Sequence, residues 1–398
     1  MDHLKTVGTL SFLLLLLALF LAAAPFQPMQ KKCHHKSIIV FSDIDDTLIC
    51  SNARHHAGVD RQYPHSTVYP GAVAFEVGLS RGPSNLRAKP VVLLSARPKK
   101  LSSFLGISPT SPVAVAFREL NSQHDGGVVV PTTIKEGEAA EEEEEVGGGP
   151  ALDLANAQYG RFRDFLPSKF IHLFNGSQRV RERYINIGRT KLKNLIATME
   201  EPDRLDSCLA FVGDSGQGDE LVARTLVGQP GSFFVQRNDP IMTKNLLRRS
   251  ASSFVHDVDT MENLKSTHGF ALNSSSGGGY TRFRSYPEAA AIALTQGAIS
   301  WESLESVVVS VEKNKIWLKC EKARGGGGGR GGGGLGGETD EREEEEEPCG
   351  VGFGADCCVE LRRGMESARA VLYRWKQWTS TFPWLKILFR QSLLSFIF

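Results

Sequence analysis

Asp43, Asp45 and Asp46, with Thr47 behind them, follow at the end of the apolar run Ile38–Phe41. A short run of β-branched and aromatic residues reads as a strand buried on both faces, the pattern of a parallel sheet. Ligands of open parallel sheets bind in the crevice at the carboxyl ends of the strands. Residues two apart on a strand face the same side, so Asp43 and Asp45 are expected to address one reacting group, with Asp46 on the other face. One carboxylate can serve as nucleophile and the second as general acid and base. Together they would attract a hard divalent cation, which suits phosphoryl transfer. An Asp-rich turn that merely ends a strand uses the same residue types, so the rest of the chain has to decide.

A second apolar run, Leu209–Val212, ends in Gly213 and Asp214, and Ser-Gly-Gln-Gly leads on to Asp219. Gly216 and Gly218 permit positive φ and a close approach of backbone to an ion or phosphate. Asp214 is expected to bind Mg²⁺, which prefers carboxylate oxygen. Asp219 reads either as the N-cap of the following helix or as part of the metal shell. Ser95 ends the run Val91–Leu94; its hydroxyl could hold a phosphoryl oxygen, although serine is a common turn former. Lys191 stands where an amphipathic helix is expected to begin. There it could neutralise phosphate charge with help from the helix dipole. A solvated surface lysine is the plainer alternative, and Arg189 and Lys193 are competing cations.

These residues need a scaffold, and the pattern between them supplies one. Strands are expected at Ile38–Phe41, Val91–Leu94, Phe170–Phe174, Leu209–Val212, Ser232–Val235 and Phe254–His256, and helices at Lys191–Met199 and Asp219–Leu226. Such alternation argues for an α/β domain, a Rossmann-like parallel sheet flanked by helices. It would occupy residues 31–310. The stretch from Cys50 to Lys89 is long for a simple crossover and is expected to supply a small cap or flap.

Two low-complexity tracts interrupt the chain. Residues 136–150 hold the acidic run Glu141–Glu145, and residues 311–364 hold a glycine tract followed by Glu343–Glu347. Neither composition can bury a core, so an inserted spacer and a linker are expected. Residues 1–30 combine a charged start, an apolar block at Phe12–Ala24 and small residues ahead of Pro25, which reads as a signal peptide. The block is short of the roughly 20 apolar residues of a membrane span. As an uncleaved anchor it would leave the domain facing the cytosol, because Lys31, Lys32 and Lys36 follow it. Secretory-pathway or endomembrane localisation is therefore expected. Residues 365–398 mix Trp375, Trp378, Trp384 and large aliphatics with Arg and Lys, which suits either a helix in a membrane interface or one packed on the domain.

Of 398 residues, 46 are Lys or Arg and 45 are Asp or Glu, so no global field points to nucleic acid. The seven cysteines contain no CxxC pair, which argues against zinc, and their odd number completes no disulfide framework. The adjacent Cys357 and Cys358 are a weak candidate for palmitoylation.

Asp43-Ile-Asp45-Asp-Thr47, Ser95, Lys191 and Gly213-Asp214…Asp219, in that order, resemble the four motifs of haloacid-dehalogenase-type phosphatases. The closer resemblance is to the phosphatidate phosphatase domain of the actin-patch-protein family. It is carried by Ser42-Asp-Ile-Asp-Asp-Thr47, Gly213–Asp219, Phe254-Val-His-Asp-Val258 and Phe283-Arg-Ser-Tyr-Pro, and it covers roughly residues 36–310. Ser95-Ala-Arg97-Pro98 departs from that pattern, with Ala and Arg where a second serine is usual, and this bears on headgroup specificity. The resemblance implies an Mg²⁺-dependent phosphomonoesterase with Asp43 as nucleophile, Asp45 as acid and base, and Thr47, Ser95 and Lys191 around the phosphate. The metal would be held by Asp43, the Asp45 carbonyl, Asp214 and the shell around Asp219. The implied substrate is phosphatidate at a membrane surface, yielding diacylglycerol. A soluble phosphomonoester, or a catalytically weak lipid-binding scaffold, are the alternatives.

Overall fold

The sequence of Ile38–Ser42 (β1) is apolar at every position but the last, and each residue is buried. The reason is that both faces of this strand are covered. Ile38 and Val40 belong to one hydrophobic cluster and Ile39 and Phe41 to another, on opposite sides of the sheet. Cys208–Asp214 (β4) divides in the same way, with Ala210 and Val212 on the first side and Leu209 and Phe211 on the second. The computed structural model describes residues 38–51, 60, 63–98, 110–124, 152–160, 176–204, 207–215, 218–227, 251–256, 279–325 and 354–381.

Val91–Pro98 (β2), Leu152–Gly160 (β3), Ala251–His256 (β5) and Gly279–Phe283 (β6) complete a six-stranded sheet of order β3-β2-β1-β4-β5-β6. Every neighbouring pair is parallel. The expected α/β, Rossmann-like architecture is what the structure has. Its strand order reverses direction between β1 and β4, and the crevice of such a sheet opens at the carboxyl ends of those two strands. The edge strands β3 and β6 were not expected from the sequence. Edge positions do not require the continuous apolar run that marks a central strand. The strands expected at Phe170–Phe174 and Ser232–Val235 lie outside the described residues.

Gly176–Met199 (α3) and Asp219–Leu226 (α4) cover the face formed by Phe41 and Phe211. Ala72–Arg81 (α1), Pro112–His124 (α2), Tyr286–Thr295 (α5), Trp301–Glu312 (α6), Lys315–Gly325 (α7) and Gly354–Thr381 (α8) contribute to the other. The stretch expected to form a cap instead contains α1, all ten of whose residues are buried. Helix α1 is part of the core, and of that stretch residues 52–59 and 61–62 lie outside the described residues.

The core also continues past residue 310, where the sequence suggested a boundary. Helix α6 runs through it, and α8 supplies Leu361, Met365, Ala368 and Leu372 to the same cluster as Val40. Their i, i+4, i+7, i+11 spacing makes one helical face. Gly364 lets that face come close: a Cβ there would sit 1.9 Å from Ser285 Oγ. Trp375 stacks on Trp301 with ring centroids 4.1 Å apart. A disulfide, Cys320–Cys358, joins α7 to α8. Cys357 and Cys208 are disulfide-bonded as well, whereas Cys50 is a buried free thiol. Cys357 and Cys358 are therefore buried half-cystines, which removes them as acylation sites. Residues 1–30, the acidic tract 136–150 and residues 382–398 lie outside the described residues. No helix among the described residues is long and apolar enough to cross a membrane.

Candidate active site

Strand β1 ends at Ser42, and Asp43 continues its pairing by donating its backbone N–H to the Val212 carbonyl at 3.0 Å. Asp43 and Asp214 thereby stand at the ends of adjacent strands, at the point where the strand order reverses. Asp45 lies beyond the strand, in a turn closed by the Leu48 and Ile49 N–H groups on the Ile44 carbonyl. It is this turn, rather than strand alternation, that keeps Asp45 near Asp43, whose proton affinity it raises.

Lys191 is the centre of the site. Its Nζ lies 2.8 Å from Asp43 Oδ1 and 2.6 Å from Asp219 Oδ1, and its side chain is 1% exposed. Arg189 and Lys193, the competing cations, are exposed on the opposite face of α3. The sequence reading placed Lys191 at a helix start, but α3 begins at Gly176, so Lys191 belongs to its interior. A macrodipole acts within the first turn, so the lysine charge, and not the helix terminus, supplies the field here. Asp219 likewise is not an N-cap. Gly218 occupies that position at φ 84°, and the Asp219 side chain turns to Lys191 instead.

Two glycines allow this convergence. A Cβ on Gly213 would lie 2.7 Å from Asp219 Cβ, and one on Gly188 would lie 2.6 Å from the Gly218 carbonyl oxygen. Gly188 stands one turn before Lys191 on the buried face of α3. The close approach of helix to turn therefore brings lysine and aspartate together.

One carboxylate oxygen each from Asp43, Asp214 and Asp219 lies within 4.8 Å of the others. Three buried acids face a single lysine, and the electrostatics register the deficit. Burial pushes Asp43 well above the usual carboxylate range; Lys191 opposes the shift, and Asp219 and Asp45 add to it. Asp214 is raised well above that range by burial, then by Asp219 and Asp43. Asp219 is raised by burial against the pull of Lys191. Burial alone would lower the lysine, but Asp219 and Asp43 outweigh it and hold the ammonium charged. Asp43 Oδ2 and Asp219 Oδ2 are buried and accept no hydrogen bond among the described residues. Hard oxygen ligands, spare lone pairs and excess negative charge fit a metal ion. The Asp45 carboxylate is not part of this group.

The remaining expected residues are placed less directly. Ser95 is buried on β2, at the same end of the sheet, two residues past the Ser42–Leu93 pairing. Thr47 is buried in the turn after Asp45, and its carbonyl accepts a hydrogen bond from the Tyr286 hydroxyl. Its own hydroxyl meets no partner among the described residues.

Asp46 has a role that the sequence reading did not assign. It sits at φ 56°, a left-handed conformation that Asp adopts more readily than most residues. Its carboxylate accepts the backbone N–H groups of Ser51 at 2.9 Å and Asp60 at 3.0 Å. Asp60 in turn accepts a hydrogen bond from the Tyr69 hydroxyl. Asp46, Cys50 and Asp60 are also close enough to hold an ion. The Cys50 sulfur, however, faces the Tyr63 carbonyl at 3.1 Å, and the group as a whole braces the turn that follows Asp43. His256 adds to that brace. Its Nδ1 is 3.0 Å from the Asp46 carbonyl and its Nε2 is 3.2 Å from the Arg284 carbonyl. Tyr69 packs edge-on against His256, and Phe283 stacks on it. No short spacing links His256 or Tyr286 to Asp43–Thr47: β5 brings His256 beside β4, and Tyr286 reaches the turn from the start of α5.

No family model, curated protein or solved structure matches the chain.

Proposed function

We propose that the chain is an Mg²⁺-dependent phosphomonoesterase that works through an aspartyl-phosphate on Asp43. The observation that carries the reading is the buried group of Asp43, Asp214 and Asp219 around Lys191, at the switch point of a parallel sheet. Its motif order, resembling that of haloacid-dehalogenase-type phosphatases, supports the same assignment. Asp43, Asp214 and Asp219 would hold Mg²⁺, with the Asp45 carbonyl added by resemblance. The ion would supply positive charge that offsets the phosphoryl oxygens and keeps the carboxylates ionised.

In the first step an Asp43 carboxylate oxygen attacks phosphorus, and the bond from phosphorus to the ester oxygen breaks. Asp45, as the acid, gives its proton to the leaving alkoxide. In the second step Asp45 takes a proton from water, whose oxygen attacks phosphorus. The bond to Asp43 breaks, releasing inorganic phosphate and restoring the carboxylate. Lys191 stabilises charge on the phosphoryl group throughout, and Asp219 fixes the position of its ammonium. Ser95, with Thr47, would contribute hydroxyl contacts to the phosphate. Positioning and electrostatic stabilisation of this kind dominate phosphoryl transfer.

The substrate, phosphatidate presented at a membrane surface, follows from the subfamily resemblance alone. Phosphate release from phosphatidate vesicles and from soluble phosphomonoesters, with and without Mg²⁺, tests both levels. Wild type should release phosphate and Asp43→Asn should not; equal release by the two would overturn the mechanism. Hydrolysis of soluble esters alone would overturn the lipid substrate. Vesicle binding without hydrolysis would indicate a scaffold.

A further inference from the structure

Glu76 is the one acid in α1, and it is fully buried among Ala, Val and Phe. Its Oε1 lies 2.6 Å from Ser42 Oγ, which in turn lies 2.8 Å from the carbonyl oxygen of Asp43. Glu76 Oε2 has no hydrogen-bond partner among the described residues. The Ser42 hydroxyl has one hydrogen and two lone pairs, whereas the Asp43 carbonyl only accepts. An ionised Glu76 would compete with that carbonyl for the single hydrogen, and would leave its second charged oxygen without a donor. A protonated Glu76 resolves both conflicts. It donates to Ser42 Oγ, and Ser42 donates to the Asp43 carbonyl.

We propose that Glu76 is a positioning residue, a neutral acid that donates to Ser42 so that Ser42 donates its own hydrogen to the Asp43 carbonyl. The relay fixes the backbone from which the nucleophile reaches phosphorus. The proposal rests on the phosphatase reading for what is positioned, but the hydrogen-bond relay can be measured without turnover. Burial lifts the Glu76 carboxyl to about 8, with added repulsion from Asp43 and with the Ser42 contact opposing the shift. Tyr286, from α5, is the other titratable group that senses Glu76, and burial keeps that phenol neutral. The direction of that shift agrees with the protonated acid that the hydrogen-bond geometry requires.

Infrared difference spectra of the full chain at pH 7, wild type minus Glu76→Gln, should contain a protonated-carboxyl stretch that ¹³C-labelled glutamate shifts. Its absence overturns the proposal. In the Mg²⁺-dependent assay, Glu76→Ala should lower kcat by about 10²-fold, the cost of a small misplacement of the reacting group, with KM little changed. Glu76→Gln, whose amide can donate to Ser42 as the acid does, should recover most of that kcat. Ser42→Ala should lower kcat as Glu76→Ala does and abolish the recovery by Gln. Equal losses in Glu76→Gln and Glu76→Ala, or a loss carried by KM, would overturn positioning. A wild-type chain that hydrolyses no ester would overturn the phosphatase reading, while the infrared band still decides the relay.

Discussion

Lys191 and Asp219 are 28 residues apart in sequence and 2.6 Å apart in space, both sealed from solvent. Lys191 is the only cation at the centre of the site among the described residues, shared between Asp219 and Asp43. Removing it tests whether it serves the phosphate, as proposed, or organises the carboxylates. Lys191→Met should lower phosphate release by about 10²–10³-fold, the usual loss when one electrostatic stabiliser is removed. Because it also deletes a positive charge beside three carboxylates, cation binding measured by calorimetry should hold or strengthen. A loss of cation binding in a folded variant would show that the lysine organises the carboxylates rather than serving the phosphate.

Gly188 gives a prediction whose sign runs against helix propensity. Alanine in a helix interior is normally more stable than glycine by roughly 1 kcal/mol. At Gly188 the added Cβ would sit 2.6 Å from a backbone carbonyl that cannot rotate away. Gly188→Ala should therefore destabilise the chain by about 1–3 kcal/mol, the range for overpacking. It should also reduce phosphate release, because α3 carries Lys191 with it. An unchanged or raised urea midpoint would mean that α3 and the Gly218 turn do not touch as described.

The parts of this site legible in the sequence are those where composition and covalent order coincide. Buried strands β1 and β4 announce themselves as apolar runs, and the acids that end them follow in the chain. Lys191 was identifiable as a candidate, but its neighbours Arg189 and Lys193 were not separable from it. Only the helix phase set by Leu192, Leu195 and Ile196, buried against Phe41 and Phe211, turns one of the three inward. The apparent helix start at Lys191 was misleading because Arg179, Arg181, Glu182 and Arg183 crowd the preceding turns of α3, although Ile187 is buried. Glu76 could not be read at all, and His256 entered only within the segment Phe254–Val258 without a role, since their partners Ser42 and Asp46 lie 34 and 210 positions away. The edge strand β3, Leu-Asp-Leu-Ala-Asn-Ala-Gln-Tyr-Gly, is too polar to signal a buried strand.

Helix α8 should behave as part of the domain. Ending the chain after Gly325 would expose the surface of α5 and α6 that Met365, Ala368 and Leu372 cover, and the product should aggregate or fail to melt cooperatively. The Cys320–Cys358 bridge spans 38 positions, and removing a bond of that kind costs about 2–4 kcal/mol. Reductant should therefore lower the urea midpoint of wild type, and Cys320→Ser with Cys358→Ser should show a smaller drop. A cooperative, equally stable chain ending at Gly325 would place α8 outside the fold.

The carboxylates also set a pH dependence whose direction depends on the metal. Asp43, Asp214 and Asp219 all have folded-state proton affinities raised by burial. In the metal-free protein the folded state then binds more protons than the unfolded state above the usual carboxylate range. Stability is present at low pH and is lost as pH rises through the raised values. Glu76, lifted to about 8, adds a slope of the same sign, which measurements on Glu76→Gln subtract. A cation binds the ionised carboxylates, so it should oppose this loss and stabilise more strongly as pH increases. At a concentration 100 times its Kd, a ligand of the folded state contributes about 2.7 kcal/mol. Asp214→Asn removes one of the acids that repel each other and one of the proposed ligands. Its metal-free urea midpoint should fall less steeply with pH than that of wild type, and Mg²⁺ should no longer raise it. A wild-type midpoint that rises with pH without metal, or an Asp214→Asn chain that Mg²⁺ still stabilises fully, would remove the three-carboxylate site as the place where the cation acts.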